Sequence, residues 1–156
     1  MMNDEILRIN GFEIVEDGFD QDKNKYYEGI FTQGNGYFHV RGSFEEGLAD
    51  APQNEVYTRT MKSVTTEQQR HPLSKQGTFL PLMMGKHPFL EEVIINLPYF
   101  MRIEIAAGNE KLDMIRSDIR DYRRVLNMKT GELTRSFTWI TASGEEIDVK
   151  FKVCKS

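Results

Sequence analysis

Apolar and polar residues alternate with a period of two over short runs of the chain, separated by glycine, asparagine or proline. Neighbouring side chains on a strand point to opposite faces, so this alternation predicts half-buried strands. The clearest run closes the chain. Leu133, Phe137 and Trp139 share one face, opposite Thr134, Ser136 and Thr138. After Ser143-Gly144, the residues Ile147, Val149, Phe151 and Val153 alternate with Asp148, Lys150 and Lys152. Together they predict a long β-hairpin, entered by a turn at Thr130-Gly131. Residues 101–105 behave alike: Met101, Ile103 and Ile105 alternate with Arg102 and Glu104, which predicts a strand turned back at Gly108-Asn109.

Elsewhere the pattern is looser. Residues 4–16 predict one or two short strands broken at Asn10-Gly11, and 17–25 a polar loop. A strand is expected at 26–32. Asn35-Gly36 then makes a tight turn, because both residues tolerate positive φ, and leads into a strand at 37–41 that Gly42 ends. Residues 47–76 are the least regular part, with Pro52 and Pro72 and a short strand at 56–61 as their one expected element. Connections this long usually carry a function or lack order. A strand at 78–84 is interrupted by Pro81, residues 85–88 read as a turn, and Val93-Ile94-Ile95 as an apolar strand ended by Pro98. Between 111 and 126 the residues Leu112, Ile115, Ile119, Tyr122 and Leu126 recur at helical spacing, and periodicity alone predicts a helix there. No internal repeat or low-complexity tract is present. A succession of short strands argues an all-β, antiparallel β-sandwich made as a single domain over 1–156.

Composition narrows the partners. A length of 156 residues with 39% apolar content suffices for one buried core. A formal net charge of −4 supplies no electrostatic reason to expect nucleic acid or an anionic membrane as partner. No apolar run approaches the roughly 18 residues of a membrane span. The first residues are polar and acidic, unlike a signal peptide, and the single Cys154 fits a reducing cytoplasm.

Few residues offer chemistry. Glu45-Glu46 and Glu91-Glu92 are carboxylate pairs, but adjacent strand residues point apart, and Glu45-Glu46 reads better as a solvated turn. Arg41 is suited to pairing with an acid inside the fold or at a domain interface. Arg70-His71 suits phosphate or sugar hydroxyls, although an exposed pair in a loop is the plainer reading. Tyr37, Phe38, Phe137 and Trp139 suit a sugar-stacking platform; alternating core aromatics are the favoured reading. His39, His71 and His87 are far apart, no metal-type spacing occurs, and no convergent acid/base set is visible.

The stretch Glu28-Gly29-Ile30-Phe31-Thr32-Gln33-Gly34-Asn35-Gly36-Tyr37-Phe38-His39-Val40-Arg41-Gly42 resembles the signature near the start of glycoside hydrolase family 65, whose members usually carry a small residue in place of His39. Three more blocks follow in the family's order: Gly77-Thr78-Phe79-Leu80, Asn96-Leu97-Pro98-Tyr99, and Leu126-Asn127-Met128-Lys129-Thr130-Gly131-Glu132-Leu133-Thr134-Arg135, with Asn127 at a position where aspartate is more typical. The resemblance runs from Glu28 to the end. It implies extended structure at 122–127, against the helical spacing, and makes 47–76 an insertion between two signature blocks.

As a fold, the resemblance implies part of a galactose-mutarotase-like super-sandwich. In the family this domain precedes an (α/α)6 barrel that holds the catalytic acid and the phosphate pocket, for which this chain has no counterpart. The implied parent is a cytoplasmic enzyme that cleaves an α-linked disaccharide with inorganic phosphate as co-substrate and no cofactor, releasing β-glucose 1-phosphate with inversion. The segment is then non-catalytic: it packs on its own barrel and helps a homodimer form. Arg70, His71 and Arg41 are the residues expected at the active-site mouth or an interface. The alternative is a free-standing carbohydrate-binding module with exposed aromatics; an autonomous hydrolase lacks the second carboxylate it would need. The final hairpin is expected to leave a sheet edge that invites self-association.

Overall fold

The computed structural model describes residues 6–46, 78–85, 93–97 and 101–154. They form antiparallel sheets with one short helix, as the succession of short strands predicts. The chain divides into two compact units, Met1–Asn24 with Glu104–Ser156, and Lys25–Ile103.

The first unit holds a five-stranded sheet built from β1 (Leu7–Asn10), β2 (Glu13–Asp17), β9 (Asp118–Asn127), β10 (Glu132–Ile140) and β11 (Glu146–Cys154), in the order β1-β2-β9-β10-β11. The early strands break at Gly11, as Asn10-Gly11 predicts. Alternation sets the faces. Leu133, Arg135, Phe137 and Trp139 of β10 are buried, with Phe151 of β11 and Tyr122 of β9 beside them. Tyr122 stacks on Phe137 at 6.4 Å between ring centroids, and Phe137 lies 6.4 Å from Phe151. The last hairpin is paired as expected, from Glu132 opposite Cys154 to Ile140 opposite Glu146.

The extended structure that the resemblance implies at 122–127 forms, and the helix that spacing alone predicts within 111–126 does not. Residues 118–127 are β9, and the pairing with β10 slips between Ser136 and Thr138. Asp121 sits there with φ 52°, the mark of a bulge. One extra residue puts Ile119 and Tyr122, three apart, on the same side of the strand. A bulged strand thereby imitates the spacing of a helix. The preceding residues are a turn: Asp113 accepts the Ile115 N–H through Oδ1, and its carbonyl accepts the N–H groups of Arg116 and Ser117.

Residues 101–105 are a second correction. They form no strand, because their backbone groups bond loops and not a ladder: Ile103 N–H donates to the Glu45 carbonyl, and the Ile105 carbonyl accepts from Leu112 N–H. The turn at Gly108-Asn109 does form, within a two-stranded hairpin of β7 (Ala106–Ala107) and β8 (Glu110–Lys111).

In the second unit, β3 (Gln33–Gly34), β4 (His39–Val40), β5 (Thr78–Gly85) and β6 (Val93–Leu97) pair in that order. The β5–β6 register slips between Leu80 and Met84, around Pro81, whose missing N–H cannot join a ladder. A third correction falls on 26–32: in place of a strand the chain forms the helix α1 (Asn24–Ile30). Tyr27, Glu28 and Phe31 are buried at helical spacing, and one of the three is a carboxylate, which hides the period from a hydrophobicity reading. Residues 47–76 with their strand at 56–61, residues 86–88 of the expected turn, Glu91-Glu92, Pro98, His71 and His87 lie outside the described residues.

Candidate functional site

The signature stretch is built around one buried carboxylate. Its turn forms as Asn35-Gly36 predicts, with Asn35 Oδ1 accepting the backbone N–H groups of Tyr37 and Phe38 at 3.0 and 3.2 Å. β4 is shorter than the expected 37–41 strand, so Arg41 and Gly42 leave it and run back along α1. There the Glu28 carbonyl accepts the Gly42 N–H at 3.0 Å and the Thr32 hydroxyl at 3.1 Å. Arg41 donates from Nη2 to the Lys25 carbonyl at 2.9 Å, and its Nε lies 3.7 Å from Oε2 of the fully buried Glu28. Arg41 thus pairs with an acid inside its own unit.

Two glycines make this packing possible. A Cβ on Gly42 would stand 2.6 Å from Phe31 Cβ and 2.8 Å from the Phe31 carbonyl oxygen. A Cβ on Gly34 would collide with the His39 imidazole, which fills the space that a small residue leaves open. His39 has this packing role.

Glu45-Glu46 corrects the expected solvated turn, since both side chains are buried. Strand alternation does not govern them, because 41–46 carry no strand and Glu45 is held through its carbonyl by Ile103. The aromatic set divides. Phe137 and Trp139 are buried core residues, whereas Tyr37 is 79% exposed and Phe38 37% exposed at the turn, against the core reading. Arg70 and His71 lie outside the described residues.

Sequence reasoning missed a second polar centre, on the buried face of the five-stranded sheet. Glu16 of β2 stands opposite Arg124 of β9, and Arg124 opposite Arg135 of β10. Arg124 donates from Nε to Glu16 Oε2 at 2.6 Å, with Nη2 at the same distance from that oxygen. The Tyr122 hydroxyl donates to it at 3.5 Å. Burial pushes the Glu16 carboxyl above its ordinary value of 4.5, against the opposing pull of Arg124. The Arg135 guanidinium lies 4.4 Å from the Phe151 ring centroid and 5.3 Å from that of Phe137. One signal was available: Arg135 falls midway between Leu133 and Phe137, on the core-facing parity of an alternating strand.

Chemically, both centres fix the fold. Glu28 and Glu16 are fully buried and each is met by an arginine, an arrangement that positions strands and helix but holds no carboxylate out towards a ligand. Among the described residues, no group of three or more His, Cys, Asp and Glu is placed to hold a metal. No described helix is long and apolar enough to cross a membrane.

Residues 14–156 match the model of the glycosyl hydrolase family 65 N-terminal domain. The α,α-trehalose phosphorylase of Thermoanaerobacter brockii is 29% identical over 148 residues, which is 94% of this chain but 18% of that enzyme. The maltose phosphorylase of Bacillus subtilis (strain 168) is 29% identical over 136 residues, 87% of this chain and 16% of its own length. The chain therefore spans less than a fifth of these curated relatives. A solved structure described as a kojibiose phosphorylase from the human microbiome superposes with a TM-score of 0.67 over 94% of this chain and 18% of its own, at 23% identity, and shows the same fold. The chain belongs to glycosyl hydrolase family 65, whose N-terminal domain it carries.

Proposed function

We propose that this chain is the non-catalytic N-terminal β-sandwich segment of an enzyme that phosphorolyses an α-glucosidic disaccharide, with inversion, to β-glucose 1-phosphate. The observation that carries the reading is the span of the match: nearly the whole chain aligns with 18% of a trehalose phosphorylase and 16% of a maltose phosphorylase. The two buried acid–arginine centres support it, because a general acid must reach the leaving oxygen and these are engaged within the fold. The segment's work is scaffolding. It packs on a catalytic barrel of the same polypeptide, shapes the entrance to its active site and supports a homodimer in the cytoplasm, with Arg70 and His71 as contact residues. Inorganic phosphate is the co-substrate of the whole enzyme, which uses no cofactor.

The exposure of Tyr37 on a hydrogen-bonded turn favours one second reading, a carbohydrate-binding module. The two are separated by assaying the chain with phosphate and maltose, trehalose, kojibiose or nigerose, and by calorimetric titration with the same sugars. The scaffold reading expects neither glucose 1-phosphate nor measurable binding. Release of glucose 1-phosphate above the blank overturns it; binding abolished by Tyr37→Ala establishes the module instead.

A further inference from the structure

The chain contains two Asn-Gly dipeptides, Asn10-Gly11 and Asn35-Gly36, and one Asp-Gly dipeptide, Asp17-Gly18. In such pairs the glycine backbone nitrogen can attack the preceding side-chain carbonyl carbon, because no Cβ hinders the approach. The fold treats the three pairs differently. Asp17 is held between Arg8 and Arg123, and Gly18 N–H donates to the Tyr122 carbonyl at 2.9 Å. Asn35 Oδ1 accepts the N–H groups of Tyr37 and Phe38. Its side chain must leave both hydrogen bonds before it can turn towards Gly36.

Asn10 is unlike both. It ends β1 at the turn Gly11-Phe12, across which Asn10 pairs with Glu13 of β2. Gly11 takes φ 60° and Phe12 no positive φ, which is the turn with glycine at its first central position. Neither the Asn10 carboxamide nor the Gly11 N–H has a hydrogen-bond partner among the described residues. Asn10, Gly11 and Phe12 are all exposed. The turn is anchored one residue further on, where the Phe12 carbonyl accepts the Met128 N–H at 2.8 Å. The reacting atoms are thus left free beside a fixed point.

We propose that Asn10-Gly11 is a site of spontaneous deamidation, and that its conversion loosens β1 from β2. The Gly11 backbone nitrogen, deprotonated by hydroxide, attacks Asn10 Cγ. The new N–C bond closes a succinimide ring, and the carboxamide nitrogen leaves as ammonia, taking a proton from water and regenerating hydroxide. Water then opens the ring. Cleavage at the side-chain carbonyl gives aspartate; cleavage at the main-chain carbonyl gives isoaspartate, whose backbone runs through Cβ and Cγ. Both products set a carboxylate opposite Glu13, and like charges facing each other across a ladder destabilise the pair. Isoaspartate also lengthens the main chain of a loop whose length sets the register. β1 has only four residues, three of them exposed, with which to resist either change.

The test is incubation of the 156-residue chain at mildly alkaline pH, followed by peptide mapping with mass spectrometry and by hydrogen exchange. Asn10 is expected to convert about tenfold faster than Asn35, because Asn35 must first give up its two bonds. In urea those bonds are gone, and the two sites are expected to convert at similar rates. An isoaspartyl methyltransferase with labelled S-adenosylmethionine is the probe for isoaspartate at Asn10. As product accumulates, the amides of β1 are expected to lose exchange protection while those of β10 and β11 keep theirs. Asn10→Gln, whose longer side chain closes the ring poorly, is expected to abolish both changes. Asn10→Asp supplies the charge without the longer main chain and is expected to weaken β1 protection from the outset. The proposal is overturned if Asn35 converts as fast as Asn10 in the folded chain, or if Asn10 stays intact there. It is equally overturned if Asn10 converts with β1 protection unchanged, or if Asn10→Gln loses that protection at the same rate.

Discussion

Residues 132–154 and residues 24–46 are similar lengths of chain, and both bury aromatic side chains, yet they are held in different ways. The hairpin of β10 and β11 is regular: each residue has a cross-strand partner and each inward side chain follows its parity. Charge enters it at one inward position, Arg135, which lies against two aromatic rings. The 24–46 segment has seven helical residues, two strands of two residues each and no long ladder. It is held by a buried carboxylate, an arginine that reaches back across the chain, and two glycines that admit close contact. Repetition stabilises the first, and specific short-range geometry the second. A substitution on the exposed face of the hairpin should therefore be absorbed, whereas one in the segment should be felt even where it adds only a methyl group.

The largest effect is expected where the sheet departs from its own regularity. Arg124→Ala leaves Glu16 buried without its ion partner and should lower unfolding free energy by about 3–5 kcal/mol in urea titrations. Glu16→Leu with Arg124→Met should cost less than either single change, because no buried charge is left alone at that pair. If the double costs as much as the sum, the pair is not the unit described here.

The same centre has a pH signature. Burial raises the folded value of Glu16 above 4.5, so above that pH the native state holds a proton that the unfolded chain has released. Stability from this group is fully present below 4.5 and is lost as pH rises through the folded value. Without Arg124 the opposing pull is gone and the window extends upward. The deficit of Arg124→Ala should be smaller at about pH 5 than at about pH 8; equal deficits would refute the assignment.

Next in size is Gly42→Ala. The added methyl meets the Phe31 backbone, which cannot step aside as a side-chain end does, and overpacking of this kind costs about 1–3 kcal/mol. Gly34→Ala should cost less, about 1–2 kcal/mol, because its obstacle is the His39 side chain. Adding His39→Ala should recover most of that loss, and a double-mutant cycle without coupling would break the contrast drawn here between backbone and side-chain obstruction.

The smallest effect sharpens the account of the bulge. Asp121 is exposed, and strand propensity alone favours valine there. At φ 52° a β-branched residue is strained, so Asp121→Val should destabilise by about 1 kcal/mol in thermal melts. A stabilised variant would mean that the backbone relaxes to a regular strand.

How much of the molecule could be read beforehand follows the same division. The last hairpin, the turns at Asn35-Gly36 and Thr130-Gly131, and the broken strand around Pro81 were legible, because alternation and turn chemistry are local properties of consecutive residues. The four motif blocks at 28–42, 77–80, 96–99 and 126–135 pointed to the family by their residues and their order. Tertiary structure decided the rest, for identifiable reasons. One bulge residue gave β9 the spacing of a helix, and a buried glutamate hid the helix at 24–30 from a count of apolar positions. Residues 101–105 alternate as a strand would, but no ladder meets them, and strand formation depends on a partner that no local pattern supplies. The pairing of Glu16 with Arg124 joins residues 108 positions apart. A sequence shows that a charge falls on a core-facing position; only the folded chain decides which opposite charge meets it there, because desolvation makes burial tolerable for the two together and costly for either alone.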